Sequence, residues 1–165
     1  MKSKYIAESG LLVALTVVVL YATSLFSIST LSLLTIASCL IPISIIRTSI
    51  KNTILVYIAS SILSFILIPK INIAIYYTLF FGIYGIVKYF IEKARSMILE
   101  ILLKLISFNI LLGITYLITK SFLNVIYPSI SLWLLWIASQ VVFLIYDYAL
   151  TLAISFFLRR FNKNF

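Results

Sequence analysis

The stretch SGLLVALTVVVLYATSLFSISTLSLLTIASCLIPISII, residues 9–46, carries no charged side chain over 38 consecutive residues. As one α-helix it would be about 57 Å long, nearly twice the roughly 30 Å of a bilayer's hydrocarbon core. The stretch is therefore predicted to cross a membrane twice. We expect the turn at residues 27–30, Ser-Ile-Ser-Thr, because serine and threonine hydroxyls compete for the backbone hydrogen bonds of a helix.

The composition of the whole chain indicates a membrane protein. Of its 165 residues, 64% are hydrophobic and only 10% are charged, whereas a soluble domain has about 25% charged residues. Charged residues separate four further apolar segments, so we expect an all-α polytopic integral membrane protein with six transmembrane helices in one domain, residues 1–165. The four segments are Asn52–Pro69, Ile71–Val87, Met97–Ile118 and, after a break at Pro128, Ser131–Leu158.

Charged residues lie at the edges of spans four and five. Span four has only 17 residues between Lys70 and Lys88. This length is enough to cross the hydrocarbon core if Lys88 extends its ammonium group to the interface. Near the start of span five, Glu100 and Lys104 are four residues apart with the acid first. This order favours an ion pair on a helix, so span five can begin in the interface.

The basic residues are distributed unevenly between the two ends of the six spans. Eleven are on the side of the termini and two on the other, and loops rich in Lys and Arg face the cytoplasm. We expect a multi-pass protein of the cell membrane, both termini cytoplasmic, that contacts lipid and not nucleic acid. A cleaved signal peptide over residues 1–24 is disfavoured by the acidic residue at position 8. The eleven are Lys2, Lys4, Arg47, Lys51, Lys88, Lys93, Arg95, Lys104, Arg159, Arg160 and Lys163; the two are Lys70 and Lys120.

The residue types that carry most enzyme chemistry are scarce. The chain has no His and a single Cys, Cys39, inside an apolar run. This excludes His-based catalysis, Cys/His metal sites and an intrachain disulfide. The four acids, Glu8, Glu92, Glu100 and Asp147, are dispersed along the sequence, and no phosphate-binding loop is present. We expect no catalytic residues, no cofactor and no metal.

Span six contains candidate substrate-binding residues. Helical spacing places Trp133, Trp136, Gln140, Asp147 and Thr151 on one face, which is predicted to point into the bundle. Its outer part, Trp133, Trp136 and Gln140, offers aromatic rings and an amide to a small molecule. The alternative is that the Trp residues belong to the aromatic belt and that Gln140 binds a neighbouring helix.

An acid lies deep in span six. Asp147 is about 17 Å of helix away from Arg159, and a charged side chain at this depth needs a partner. Lys104 of span five is the predicted partner. For this intramembrane charge pair we favour a structural or coupling role over contact with substrate.

Other spans contribute four more candidate substrate-binding residues. Asn109 lies deep in span five, and Tyr116 follows on the same stripe. Asn72 and Tyr76 lie near the outer end of span four, where they are placed to cap a pocket. For Asn109 a hydrogen bond to a neighbouring helix is the alternative.

Span one carries small residues at a four-residue spacing. Gly10 and Ala14 form a groove that lets another helix approach closely. That helix belongs either to this protein's own bundle or to a partner subunit.

The segment AESGLLVALTVV, residues 7–18, resembles the first helix of substrate-binding S components of energy-coupling factor (ECF) transporters. These proteins similarly open with an Ala-Leu-Leu-x-Ala-Leu-type run and an Ala-x-x-x-Ala motif, whose positions fall here on Gly10 and Ala14. The resemblance implies a subunit that binds a vitamin or similar micronutrient and docks on a T subunit and two ATPases. It also implies a ligand in the outer half of the bundle, walled largely by the last three helices.

Two other functions stay open at this point. One is a non-transporting membrane scaffold of a cell-envelope complex. The other is a proton-coupled carrier with Asp147 as the relay. If a ligand binds, the outer candidates offer aromatic faces and amides with only Lys70 and Lys120 as nearby cations. This favours a flat, neutral heterocycle over a polyanion.

Overall fold

Six helices that are long and apolar enough to cross a membrane make up the computed structural model, which describes residues 2–26, 29–93, 96–122 and 132–162. No strand occurs in these ranges, and the predicted all-α fold with six spans is confirmed. The helices are α1 (Lys2–Leu25), α2 (Thr30–Arg47), α3 (Ile50–Leu67), α4 (Ile71–Ile91), α5 (Met97–Phe122) and α6 (Leu132–Asn162).

The long uncharged stretch folds back where the sequence predicts it. α1 ends at Leu25 and α2 begins at Thr30, although Ser27 and Ile28 of the predicted turn lie outside the described residues. The predicted break at Pro128 and the predicted start of span six at Ser131 also lie outside them.

Local sequence explains how α3 begins and ends. The Ser49 hydroxyl accepts a hydrogen bond from the Asn52 backbone N–H at 3.4 Å, which caps the first turn. At the other end Ile68 is extended, with φ −92° and ψ 122°, because the ring of the following Pro69 disfavours a helical conformation there.

Successive helices alternate in direction. The first four connections are short, and α5 and α6 contact each other in reverse order: Lys104 meets Asp147, whereas Asn109 meets Gln140. The start of α1 and the end of α6 therefore lie at the same end of the bundle.

α2 and α4 form the centre of the bundle. In their membrane-spanning segments 44% and 50% of the residues are buried, against 6% in α5 and 17% in α6. α5 and α6 therefore cover one side of the central pair and turn most of their apolar side chains outward. Exposed apolar side chains are expected on helices that face lipid.

Glycines allow α4 to approach its neighbours closely. A Cβ on Gly85 would lie 3.0 Å from Pro42 Cδ and 3.1 Å from Ile41 Cβ of α2. A Cβ on Gly82 would lie 2.9 Å from a ring carbon of Tyr57 on α3. Gly82 also ends a π-helical turn, Tyr77–Gly82, in the middle of α4.

A Gly85→Ala substitution is expected to destabilise the bundle by about 1–3 kcal/mol, because the added methyl group overpacks the contact with α2. Gly113→Ala is the matched control, since no atom lies within 4 Å of the added Cβ. The control should leave the free energy of unfolding unchanged or raise it slightly. Denaturant titration in mixed micelles measures both, and equal stabilities would contradict the close α2–α4 contact.

Candidate binding site

A cavity of about 460 Å³ lies between α2, α4, α5 and α6. Its volume is in the range of small-molecule sites. The lining residues are Leu31 and Thr35 of α2; Tyr76, Phe80 and Phe81 of α4; Phe108, Leu112 and Thr115 of α5; and Leu135, Ala138, Ser139, Val142, Phe143 and Tyr146 of α6.

The cavity occupies the half of the bundle that is distant from the start of α1 and the end of α6. Its walls come from the first half of α2, α4 and α6 and from the middle and second half of α5. Because successive helices alternate in direction, these segments all lie at the end where α1 turns into α2.

Aromatic rings make up much of the wall. Phe108 and Phe143 stack with their centroids 4.2 Å apart. Phe80 meets Phe108 edge to face at 5.7 Å, and Phe81 meets Tyr146 edge to face at 5.3 Å. Phe80 and Phe81 belong to the π-helical turn of α4, a feature that occurs often at functional sites.

Hydroxyl groups supply the polar atoms of the wall. Those of Thr35, Thr115 and Ser139 donate to backbone carbonyls of their own helices, at 2.7–2.8 Å. The Tyr146 hydroxyl is buried beside Ser38 of α2.

Five charged side chains form an ion cluster between α4, α5 and α6, beside the cavity. Asp147, which directly follows the lining residue Tyr146, is at its centre. The members are Lys88 of α4, Glu92 directly after the end of α4, Glu100 and Lys104 of α5, and Asp147 of α6.

Lys88 is completely buried in this cluster. Its ammonium group pairs with Asp147 Oδ1, lies 2.9 Å from Glu92 Oε1 and donates to Thr151 Oγ1 at 2.9 Å. The Tyr84 hydroxyl donates to the same Asp147 oxygen at 2.8 Å. The extension of Lys88 to the interface, the condition for a 17-residue span to suffice, is not needed, because the helix runs on to Ile91 and Lys88 contacts anionic partners inside the bundle.

Lys104 completes the cluster from α5. Its ammonium group lies 3.1 Å from Asp147 Oδ2, 2.6 Å from Glu100 Oε1 and 3.5 Å from Glu92 Oε1. The predicted pairs of Lys104 with Asp147 and with Glu100 are confirmed. Both carboxylate oxygens of Asp147 are thus engaged by lysines of two other helices.

The expectation that the acids are dispersed is wrong in three dimensions. Three of the four meet around the two buried lysines, and Glu8 pairs separately with Arg47 at 3.2 Å. The sequence separates Glu92, Glu100 and Asp147, but the turn from α4 to α5 and the antiparallel path of α6 bring them together. No group of metal-ligating side chains is found within the described ranges.

Three of the candidate binding residues form an amide cluster between α5 and α6. Asn109 Oδ1 accepts hydrogen bonds from Trp136 Nε1 and Gln140 Nε2, each at 3.0 Å. Asn109 itself donates to the Leu105 carbonyl at 2.8 Å. The amide cluster does not line the cavity; it connects α5 to α6 beside it.

The other candidates are not brought together. Of these, only Tyr76 lines the cavity. Asn72 and Tyr116 are exposed, and Trp133 is 76% exposed with an edge-to-face contact to Trp136. The inward orientation predicted for Trp133 is therefore wrong, because the inward part of that face begins at Gln140.

Gly10 and Ala14 of α1 are exposed. No atom lies within 4 Å of a Cβ built on Gly10. The groove that they form is consequently not filled by another helix within the described part of this bundle.

Sequence reasoning missed the phenylalanines that form the cavity wall. Phe80, Phe81, Phe108 and Phe143 stand among other apolar residues, so no contrast in polarity distinguishes them from lipid-facing side chains. The spacing of Phe108, Leu112 and Thr115 on one face of α5 was the available signal.

Comparison with protein-family models, with curated proteins and with solved structures finds no match to this chain. Function is therefore inferred from the cavity, the ion cluster and the exposed face of α1.

A Lys88→Met substitution is expected to destabilise the protein by about 3–5 kcal/mol, because it leaves buried acids without one of their cations. The double variant Lys88→Met, Asp147→Asn should recover part of this loss, since both charges are then gone. Unfolding in mixed micelles measures both variants.

Glu8→Gln is the control for this prediction, because it breaks a partly exposed ion pair whose contribution is about 0–1 kcal/mol. If Lys88→Met cost no more than Glu8→Gln, the ion cluster would not hold the helices together.

Proposed function

We propose that this chain is the substrate-binding membrane subunit of an importer of the energy-coupling factor type, for a vitamin or similar small micronutrient. The cavity of about 460 Å³ carries the proposal. Its place in the half of the bundle opposite the termini, with most of its wall from α4, α5 and α6, agrees with the position that the resemblance implies for a ligand.

The exposed groove on α1 supports docking onto another subunit. Gly10 and Ala14 leave room for a helix to approach the backbone of α1. The proposed partners are a transmembrane T subunit and two ATPases, which would supply ATP hydrolysis.

We propose that the protein lies in the cell membrane with both termini in the cytoplasm. The uneven distribution of basic residues supports this orientation. The cavity then lies in the outer half of the membrane, on the side from which a nutrient arrives.

The ion cluster argues for a binding subunit over a proton-coupled carrier. Asp147 is paired with Lys88 and Lys104 at once. A carboxylate held by two cations is suited to fixing helices rather than to accepting and releasing a proton.

The orientation predicts the accessibility of two loops. In a Cys39→Ala background, a membrane-impermeant maleimide should label Lys70→Cys in intact cells and Lys51→Cys only after permeabilisation. The reverse pattern would show that the termini are outside.

Native mass spectrometry of the protein purified gently from its own membrane should detect one small molecule per chain. A Ser139→Phe variant should lose this molecule, because the new ring fills the cavity. Ser155→Phe is the matched control: both serines donate to the carbonyl three residues earlier on α6, but only Ser139 lines the cavity.

The same preparation tests the proposed partners. The T subunit and ATPases should copurify, and Gly10→Leu or Ala14→Leu should release them while the small molecule stays bound. Val18→Leu, on the exposed side of α1, serves as the control. An empty protein that copurifies with cell-envelope components would contradict the proposal and favour the scaffold.

A further inference from the structure

The cavity wall offers nothing that would stabilise a charge. Among the residues that the structure describes, its lining contains no Asp, Glu, Lys or Arg, and the donors of Thr35, Thr115 and Ser139 are already used within their own helices. An ionic ligand would lose its hydration without compensation.

The Tyr146 hydroxyl does not add a free polar group to the cavity. Its oxygen has almost no exposed surface and lies beside Ser38 of α2, which is not among the lining residues. A ligand would therefore contact the wall mainly through apolar and aromatic side chains.

The rings of the wall present both faces and edges. Phe80 contacts Phe81 and Phe108 edge to face at 5.1 and 5.7 Å, and Tyr146 lies 5.9 Å from Phe80 at a tilt of 39°. Aromatic rings prefer such offset and edge-to-face neighbours. The wall therefore suits a further aromatic ring inserted among them.

The cavity opens between apolar side chains at the surface of the bundle. Leu31, Leu135 and Val142 line it and are also exposed, by 62%, 36% and 52%. Val142 lies about 14 Å along α6 from Trp133. For a helix that crosses the membrane, this is the depth of the hydrocarbon core.

We infer that the cavity takes an uncharged, largely apolar aromatic molecule, and that this molecule enters sideways from the bilayer. The inference rests on the proposed function and narrows the substrate class. Such a molecule would not be bound by the amide cluster, because that cluster lies outside the cavity.

Calorimetric titration of the protein in nanodiscs, corrected for empty nanodiscs, tests the class with two probes. 2-Naphthol should bind at least tenfold more tightly than naphthalene-2-sulfonate. Ser139→Phe should abolish binding of 2-naphthol because the new ring fills the cavity, and Ser155→Phe, outside the cavity, should not. Equal binding of the sulfonate, or equal effects of the two serine variants, would overturn the inference.

Stopped-flow fluorescence with 2-naphthol tests the route of entry. Val142→Trp should slow association about tenfold by blocking the opening. Val141→Trp is matched in residue type and exposure, at 54%, but lies outside the cavity and should have no effect. Identical association rates for the two variants would overturn entry from the bilayer.

The molecule released from the native protein separates this inference from the proposed function. A bound ligand that is charged overturns the inference and leaves the proposed function intact. A protein that binds neither a native ligand nor any probe, with Ser139→Phe behaving as Ser155→Phe, overturns both.

Discussion

A lysine ammonium group that is shielded from all solvent is stable inside a membrane only where anionic groups surround it. Lys88 meets this requirement with Glu92, which caps the end of its helix, and with Asp147 of α6. The end of α4 and the start of α5 each supply an acid and a base four residues apart, whereas α6 contributes only the acid. α6 is therefore stable at this depth only when it lies against both other helices, and the arrangement of the last three spans follows from that constraint.

The ion cluster and the cavity are physically connected. Tyr84 packs its ring against Phe143 of the cavity wall at 5.3 Å and donates its hydroxyl to Asp147. Tyr146 and Asp147 are neighbours in the chain, one in the wall and one in the cluster. The cavity wall and the ion cluster are therefore adjacent parts of one packed region between α4 and α6.

The sequence predicts the fold well because charge in this chain is rare and marks the ends of helices. It predicts pairs such as Asp147 with Lys104 because a charge in lipid has few alternatives. It leaves the orientation of Lys88 open, since a lysine near a helix end can reach either the interface or a partner inside, and only the packing of α6 decides between them. It fails for the cavity wall, because Phe108 and Phe143 resemble lipid-facing residues until the helices are placed.

The π-helical turn in α4 has a consequence for helix phase. Such a turn accommodates one residue more than the surrounding α-helix, which amounts to a rotation of about 100° between the segments on either side. Phe80 and Phe81 in the turn face the cavity, while Gly85 and Lys88 after it face α2 and α6. The extra residue thus sets the angle between the cavity-lining half and the charged half of one helix. If the turn relaxed to α-helical geometry, these two halves would rotate relative to each other about the helix axis, and the side chains of one half would point in a new direction.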